Sequence, residues 1–252
     1  MTHHPLRAAL AFVSILVALA AGAYAVQQSL YAPAPVLDLT PAVAAPPPVA
    51  YAQAAPQSSA GNASGVPIVD PGWLRRTSAA SGVPEVALRA YARAELEAPS
   101  GCGVGWTTLA GIGWVESQHG TLGGRDLLGD GHSSSLILGP ALNGVGDVMA
   151  IASTPDSQRW HGDPQWDHAF GPMQFIPSTW EFWASDGDGN GVADPNDIDD
   201  ASFAAARYLC ADGRDLTTAA GWTGGVLSYN HAQVYVEAVH SAASSYAERS
   251  SA

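Results

Sequence analysis

Charged residues, and basic ones above all, are scarce in this chain. Of its 252 residues 13% are charged, and ten Lys/Arg stand against 23 Asp/Glu, which gives a formal net charge of −13. The ten basic residues form no cluster along the sequence. Because nucleic acids and anionic membrane surfaces bind positively charged patches, this composition argues against either as a partner.

Cysteine is nearly absent, and the two that occur lie far apart. Cys102 and Cys210 form no C-x-x-C pair, which argues against a thiolate metal site. In an oxidising compartment, two cysteines in one domain most simply form a disulfide. The sequence therefore predicts a bridge between Cys102 and Cys210, with two buried free thiols as the alternative.

A long apolar run follows Arg7 near the N-terminus. Residues 8–26 are almost wholly apolar, and a small-residue A-x-A cleavage pattern ends at Ala25. This run predicts a signal peptide over residues 1–26 or, if it is not cleaved, a single membrane anchor. Both alternatives predict export of the remainder to the periplasm or cell wall.

The next segment has little besides proline and small residues. Residues 27–68 contain eight of the 18 prolines, and Asp38 is their only charge. Without a periodic apolar face the segment cannot offset its ordering entropy, so we expect a disordered Pro/Ala-rich linker. Residues 69–252 remain as a single folded domain, which we expect to be monomeric.

The folded part has mainly helical patterns. Between Gly123 and Pro172 the sequence is rich in Gly, Asp, Ser and Pro, and only residues 135–138 are β-like. The pattern predicts a mostly α domain with a small β element. Expected helix signals are a cap at Asp70, a start at Pro84, a cap at Thr107 or Thr108, a capping box from Ser178 to Glu181, a start at Asp199 or Asp200, and a helical tail from about Val226.

The segment GIGWVESQHG places a carboxylic acid on an apolar helical face. Leu109, Ile112 and Glu116 share one face at helical spacing. Burial there would raise the pKa of Glu116, as a general acid requires near neutral pH. Gly111 and Gly113 are poor helix formers, so another segment or a substrate is expected to approach the helix closely.

Other interpretations of this helix remain open. Glu116 could be a buried acid held by a structural partner, or could lie at a frayed helix end in contact with water. A di-metal site through Glu116-x-x-His119 would need a second such pair, and the sequence has none.

Two further segments carry groups suited to sugar binding. The run FGPMQFIPSTW combines apolar and aromatic side chains with the hydrogen-bonding amide of Gln174, and LSYNH places a phenol at Tyr229 and an amide at Asn230. Each segment alone could be ordinary core packing.

Four motifs follow one another along the chain, namely LAGIGWVESQHG, FGPMQFIPSTW, DGDGNGVADPNDIDDASFAAARYLC and LSYNHAQVYV. In this order they resemble the lytic murein transglycosylases, specifically the membrane-bound type B family in its actinobacterial form. The resemblance covers about residues 100–240. It implies an α+β lysozyme-like fold and cleavage of the β-1,4 bond between N-acetylmuramic acid and N-acetylglucosamine in peptidoglycan glycan strands, leaving 1,6-anhydromuramoyl ends.

The resemblance also implies roles for particular residues. Glu116 would act first as acid and then as base, since the sugar's own C6 hydroxyl is the nucleophile and a second carboxylate is not needed. The implied substrate contacts are Ser117, Met173, Gln174, Phe175, Tyr229 and Asn230. A hydrolytic muramidase and a non-catalytic glycan-binding protein are the alternatives.

An acidic loop follows the spacing of an EF-hand. Gly191 stands at the sixth position, where the sharp turn falls, and the twelfth position is Asp rather than the usual Glu. The spacing predicts a structural Ca²⁺ held by Asp186, Asp188, Asn190, Val192 through its carbonyl, Asp194 and Asp197. The alternative is an acidic surface loop without a metal. No organic cofactor is expected.

Overall fold

The computed structural model describes residues 39–49, 65–146 and 148–251. These residues belong to one compact unit that spans 38–252. The predicted targeting segment and most of the predicted linker lie outside them. Among the residues described, no helix combines the length and the apolar character that a membrane crossing requires.

Among the described residues, α-helices make up most of the regular secondary structure, and a two-stranded sheet accompanies them. The predicted class, mostly α with a small β element, is confirmed. The helices are α1 (Pro71–Ser81), α2 (Glu85–Leu96), α3 (Trp106–Ser117), α4 (Pro155–His161), α5 (Pro177–Trp183), α6 (Ile198–Leu209), α7 (Ala219–Tyr229) and α8 (Gln233–Ser250), and the strands are β1 (Leu138–Ala141) and β2 (His168–Phe170).

Helix α3 lies at the centre of the core. Leu109 and Ile112 on its apolar face are fully buried. A Cβ on Gly111 would lie 2.8 Å from the Val239 carbonyl oxygen of α8. A Cβ on Gly113 would lie 2.0 Å from a tyrosine hydroxyl of α2. The predicted close approach to this helix is thus confirmed, and two neighbouring helices make it.

The ends of several helices differ from the predictions. Gly105, not a threonine, is the N-cap of α3, because Thr108 is already inside the first turn, where its hydroxyl accepts a hydrogen bond from Trp222 Nε1 at 2.9 Å. The capping box predicted to begin at Ser178 does not form, since the N-cap of α5 is Ile176, two residues earlier, and makes no side-chain cap hydrogen bond.

The region between residues 123 and 172 contains more structure than its composition predicted. Strand β1 pairs antiparallel with β2, and the predicted β-like run shares only Leu138 with it. Helix α4 was not predicted. It begins with a reciprocal capping box in which Thr154 and Ser157 bind each other's backbone amides. The capping box therefore starts a helix within a segment whose composition is that of a loop.

The predicted disulfide is present. Cys102 and Cys210 are bonded, with their Cα atoms 5.4 Å apart across 108 residues of sequence. The bridge joins the segment that leads into α3 to the C-terminal end of α6. It therefore closes a long loop of chain around much of the core.

A pair of ion pairs joins α2 to α6. Arg89 Nη2 and Arg93 Nη1 each contact a separate oxygen of the buried Asp199, both at 3.0 Å. Because the two arginines are one helical turn apart, both can reach one carboxylate. The sequence interpretation treated Asp199 only as a candidate helix start.

A short segment of the predicted linker contacts the helical body. Residues 39–49 bind it through the Leu39 amide, which donates to Thr223 Oγ1 at 3.2 Å, and through the Ala42 carbonyl, which accepts from Thr107 Oγ1 at 2.8 Å. These contacts were not expected from the composition. The domain boundary at residue 69 stays a prediction.

Candidate active site

Glu116 lies in the last turn of α3, beside a turn with an unusual backbone. The helix ends at Ser117, and Gln118, His119 and Gly120 follow with φ of 53°, 60° and 86°. Three successive left-handed residues reverse the chain at once. The acid is therefore carried by the end of a buried helix rather than by a loop.

A tyrosine that sequence reasoning missed holds the Glu116 carboxyl group. The Tyr235 hydroxyl of α8 donates to Glu116 Oε1 at 2.6 Å. Burial raises the pKa of Glu116 to about 7, while this hydrogen bond opposes the shift because it stabilises the charged form. Glu116 can therefore hold or release a proton near neutral pH.

Two stacked tyrosines connect the acid to the FGPMQFIPSTW segment. The rings of Tyr229 and Tyr235 are nearly parallel, with centroids 6.5 Å apart and planes 6° apart. The Tyr229 hydroxyl donates to the Met173 carbonyl oxygen at 2.7 Å. Burial raises the pKa of both phenols well above the usual value, so they remain neutral donors at all relevant pH values.

Tyr229 lines a cleft of about 230 Å³. Three of the predicted substrate-contact residues line it, namely Gln174, Phe175 and Tyr229, and so does His231. Gln174 has a left-handed φ of 49°, and its side-chain amide donates to the Gly171 carbonyl oxygen at 2.8 Å. Glu116 does not line this cleft and is connected to it through the tyrosine pair.

The other predicted contact residues have different surroundings. Ser117 is buried, and its hydroxyl donates to the Pro172 carbonyl oxygen at 2.6 Å and accepts from the Gly120 amide at 2.8 Å. The Met173 side chain is fully buried. Asn230 is exposed and accepts a hydrogen bond from the Ala232 amide at 3.0 Å. Direct sugar contact by these three remains a prediction.

His119 is buried three residues after Glu116, and both of its ring nitrogens are hydrogen-bonded. Its ring nitrogens lie 3.0 Å from the Tyr91 hydroxyl and 2.9 Å from the Tyr246 hydroxyl. Burial lowers the pKa of His119 to about 3, so the imidazole is neutral. With both nitrogens bonded to tyrosines, the di-metal interpretation of Glu116-x-x-His119 has no free ligand atom there.

The acidic loop brings together a set of carboxylates that differs in part from the predicted one. Asp186, Asp188 and Asp200 each offer an oxygen, and these oxygens lie within 4.8 Å of one another. Asp200 is fully buried, which raises its pKa to about 6 against the hydrogen bonds from the Asp194 and Gly187 amides. Such hard oxygen ligands suit Ca²⁺, which would relieve their mutual repulsion.

The remaining predicted metal ligands lie outside this trio. Asp197 is buried as the N-cap of α6, where its side chain accepts from the Asp199 amide at 2.8 Å. Asp194 accepts hydrogen bonds from the Asn196 amide and side chain. Asn190 is bonded to Asp188. The EF-hand spacing ends three residues before Asp200, so the pattern alone did not include it.

Residues 146–226 match the family model described as the transglycosylase SLT domain. The match covers less than half of the chain. It includes Gln174 and the acidic loop, whereas Glu116, Tyr229 and Tyr235 lie outside it.

Two solved structures of the Escherichia coli lytic transglycosylase Slt35 are similar to this chain, one in complex with bulgecin A and one in complex with calcium. Each is 16% identical, with a TM-score of 0.44, over 72% of this chain and 76% of that one. No curated protein matches the chain in sequence.

Proposed function

We propose that this chain is a peptidoglycan lytic transglycosylase that cleaves the β-1,4 bond between N-acetylmuramic acid and N-acetylglucosamine. The observation that carries the proposal is the partly buried Glu116 carboxyl group, which accepts a hydrogen bond from the Tyr235 hydroxyl at 2.6 Å and whose pKa is raised to about 7. The match of residues 146–226 to the transglycosylase SLT domain supports the same reaction class.

The proposed reaction needs one carboxyl group. Protonated Glu116 gives its proton to the glycosidic oxygen as the bond to C1 of N-acetylmuramic acid breaks, and N-acetylglucosamine leaves with a free 4-hydroxyl. The C6 hydroxyl of the same muramic acid then attacks C1, and the Glu116 carboxylate takes its proton. The carboxyl group returns to its starting state, and the product is the 1,6-anhydro sugar.

The electrostatics of the site suit this double role. A pKa of about 7 leaves both forms of Glu116 accessible near neutral pH. Burial raises the pKa of Glu116 and the Tyr235 hydroxyl lowers it, and within the described chain no other carboxylate contributes to the shift. Classical glycosidases use two carboxyl groups, whereas an intramolecular hydroxyl gains its reactivity from proximity.

The surrounding side chains have supporting roles in this proposal. Tyr235 orients the Glu116 carboxyl group. Tyr229 fixes the Met173 backbone by donating to its carbonyl oxygen. Gln174 and Phe175, in the neighbouring cleft, offer an amide and an aromatic ring to a glycan strand. The Ser117 hydroxyl donates to the Pro172 carbonyl oxygen, which gives Ser117 a structural part at the end of α3.

We also propose a structural Ca²⁺ at the acidic loop. Asp186, Asp188 and Asp200 would hold it, and the ion would supply only charge compensation there. Since Asp200 is in α6 and the other two precede it in the loop after α5, the ion would fix the loop between these helices.

The compartment is part of the proposal. The Cys102–Cys210 disulfide favours an oxidising environment, in keeping with an exported enzyme that acts on the cell wall. We propose that it acts as a monomer on glycan strands, with residues 1–26 directing export or anchoring the chain.

Digestion of purified peptidoglycan tests the reaction. Mass spectrometry of the products should show anhydro-muropeptides, each lighter by one water than the hydrolytic product. Reducing-end products alone would instead indicate a hydrolytic muramidase.

The variant Glu116→Gln separates an enzyme from a binding protein. For an enzyme, we expect sedimentation with peptidoglycan to persist while cleavage is lost. If both wild type and variant bind glycan and neither cleaves it, a non-catalytic glycan-binding protein is the better description.

A further inference from the structure

A buried, hydrogen-bonded chain of three side chains includes His119, in the left-handed turn that follows α3, and has no part in the proposed chemistry. Tyr91 of α2, His119 and Tyr246 of α8 are joined through the two imidazole nitrogens, at 3.0 Å and 2.9 Å. All three are at least nine-tenths buried. A neutral imidazole donates through one nitrogen and accepts through the other, so both tyrosines are bonded at once.

The turn that contains His119 has a conformation that needs support. Gln118 and His119 both have left-handed φ values, of 53° and 60°. Residues with a Cβ are strained in this conformation, because the Cβ lies close to the following carbonyl oxygen. The His119 amide closes the turn by donating to the Gly113 carbonyl oxygen at 2.8 Å. Tertiary contacts must therefore hold this backbone in place.

Helix α8 reaches the catalytic segment at two points. Tyr235 binds the Glu116 carboxyl group, and Tyr246, three helical turns later, binds His119. Glu116 is three residues before His119, in the last turn of the helix that the left-handed turn ends. One helix thus contacts both the Glu116 side chain, through Tyr235, and the turn that follows α3, through Tyr246.

We propose that Tyr91, His119 and Tyr246 form a buried clamp that positions Glu116 by fixing the turn that ends α3. These are positioning residues, since none of them contacts the acid itself. The proposal rests on the proposed function for its catalytic consequence, and the fixing of the turn can be tested without it.

Tyr246→Phe tests the clamp, because it removes one hydroxyl and keeps the ring. We expect amide hydrogen exchange of residues 117–120 to accelerate about ten-fold, as the loss of one buried hydrogen bond of 1–1.5 kcal/mol implies. We expect kcat for peptidoglycan cleavage to fall by a similar factor with KM unchanged.

Thr108→Val is the matched control. It also removes a buried hydroxyl that makes a hydrogen bond, here with Trp222. Thr108 lies in the first turn of α3, at the opposite end of that helix from Glu116. It should lower the melting temperature to a similar extent while leaving both kcat and exchange at residues 117–120 as in the wild type. Equal effects of the two variants on kcat and local exchange would mean that the clamp only adds stability, and would overturn the proposal.

His119→Phe and the double variant with Tyr246→Phe complete the experiment. Because the two residues act through one hydrogen bond, the double variant should lose no more kcat than His119→Phe alone. Additive losses would contradict a single clamp. If wild-type protein cleaves no glycan, the proposed function fails, and hydrogen exchange at the turn still decides whether the clamp exists.

Discussion

The Tyr235 hydroxyl donates to Glu116 Oε1 at 2.6 Å, across 119 residues of sequence. The acid comes from the end of one buried helix and its partner from the start of another. This contact opposes the rise in the pKa of Glu116 that burial causes. The proton affinity of Glu116 therefore depends on how α3 and α8 pack together.

Removing this hydroxyl should change the pH profile of cleavage. In Tyr235→Phe the carboxylate loses a donor, so the pKa of Glu116 should rise above about 7. Because the acid must be protonated, the pH at which kcat/KM falls should move upward, while the maximum rate falls through poorer orientation. A pH profile between 5 and 9 measures both, and a falling limb that stays in place would contradict the assignment.

Glu116→Gln should stabilise the protein at alkaline pH. A carboxyl group whose pKa is raised on folding from 4.5 to about 7 contributes its full stability below pH 4.5 and loses it as the pH rises through 7. At most about 3 kcal/mol is at stake. The amide avoids this loss, so its advantage in the free energy of unfolding should grow between pH 5 and pH 8.

Urea unfolding at the two pH values provides this measurement. Glu248→Gln is the control, because Glu248 is exposed on the same α8 that carries Tyr235. An advantage of Glu116→Gln that does not depend on pH would show that the wild-type acid is not unusually hard to ionise.

The glycines of two helices should respond oppositely to alanine. In Gly113→Ala the new Cβ would lie 2.0 Å from the Tyr91 hydroxyl, so we expect a loss of about 1–3 kcal/mol. Gly224 of α7 has open space around the same position, so Gly224→Ala should gain up to about 1 kcal/mol. Thermal melting of both variants checks the sign, and a tolerated Gly113→Ala would contradict the packing described for α3.

Calcium should stabilise the protein through Asp200. Chelation should lower the melting temperature and added Ca²⁺ should restore it. We expect Asp200→Asn to abolish this response, because Asp200 completes the carboxylate trio. Asp194→Asn should retain it, which distinguishes the observed trio from the EF-hand spacing.

Asp212→Asn is the control for the loss of one acidic charge, since its side chain is 85% exposed and distant from the loop in sequence. A melting temperature indifferent to chelator in the wild type would remove the metal proposal.

Reduction of the disulfide should destabilise the domain by about 2–4 kcal/mol, since the bridge closes a long loop of the unfolded chain. The Cys102→Ser and Cys210→Ser double variant should melt lower than the oxidised wild type and match the reduced wild type. Equal melting temperatures of all three would show that the bridge contributes no net stability.

Sequence reasoning anticipated features that depend on local pattern or on simple chemistry. The helical class, the buried stripe of Leu109 and Ile112 and the Cys102–Cys210 pair are of this kind. The partial burial of Glu116 followed from its place on that stripe. Periodicity carries such information because one face of a helix must be apolar to reach the core.

What the sequence did not reveal depends on distant parts of the chain meeting. Tyr235 has no motif that marks it as a partner of Glu116, and Asp200 lies beyond the EF-hand spacing. The Glu116-x-x-His119 spacing was set aside as a metal site for want of a second pair, but it gave no sign that Tyr91 and Tyr246 would bind both nitrogens of His119. Neighbouring residues can also offer alternative helix caps, as at the start of α3, where the N-cap is Gly105 rather than Thr107 or Thr108.

The single disulfide divides the candidate site by connectivity. Glu116, Gln174 and the acidic trio all lie inside the covalent ring between Cys102 and Cys210, whereas Tyr229 and Tyr235 belong to the tail that follows it. A protease that cuts once within the ring leaves both pieces tethered, but a cut between Cys210 and α7 leaves the tyrosines without a covalent link to their acid. The most consequential nicking site is therefore the short connection after Cys210, far from Glu116 in sequence.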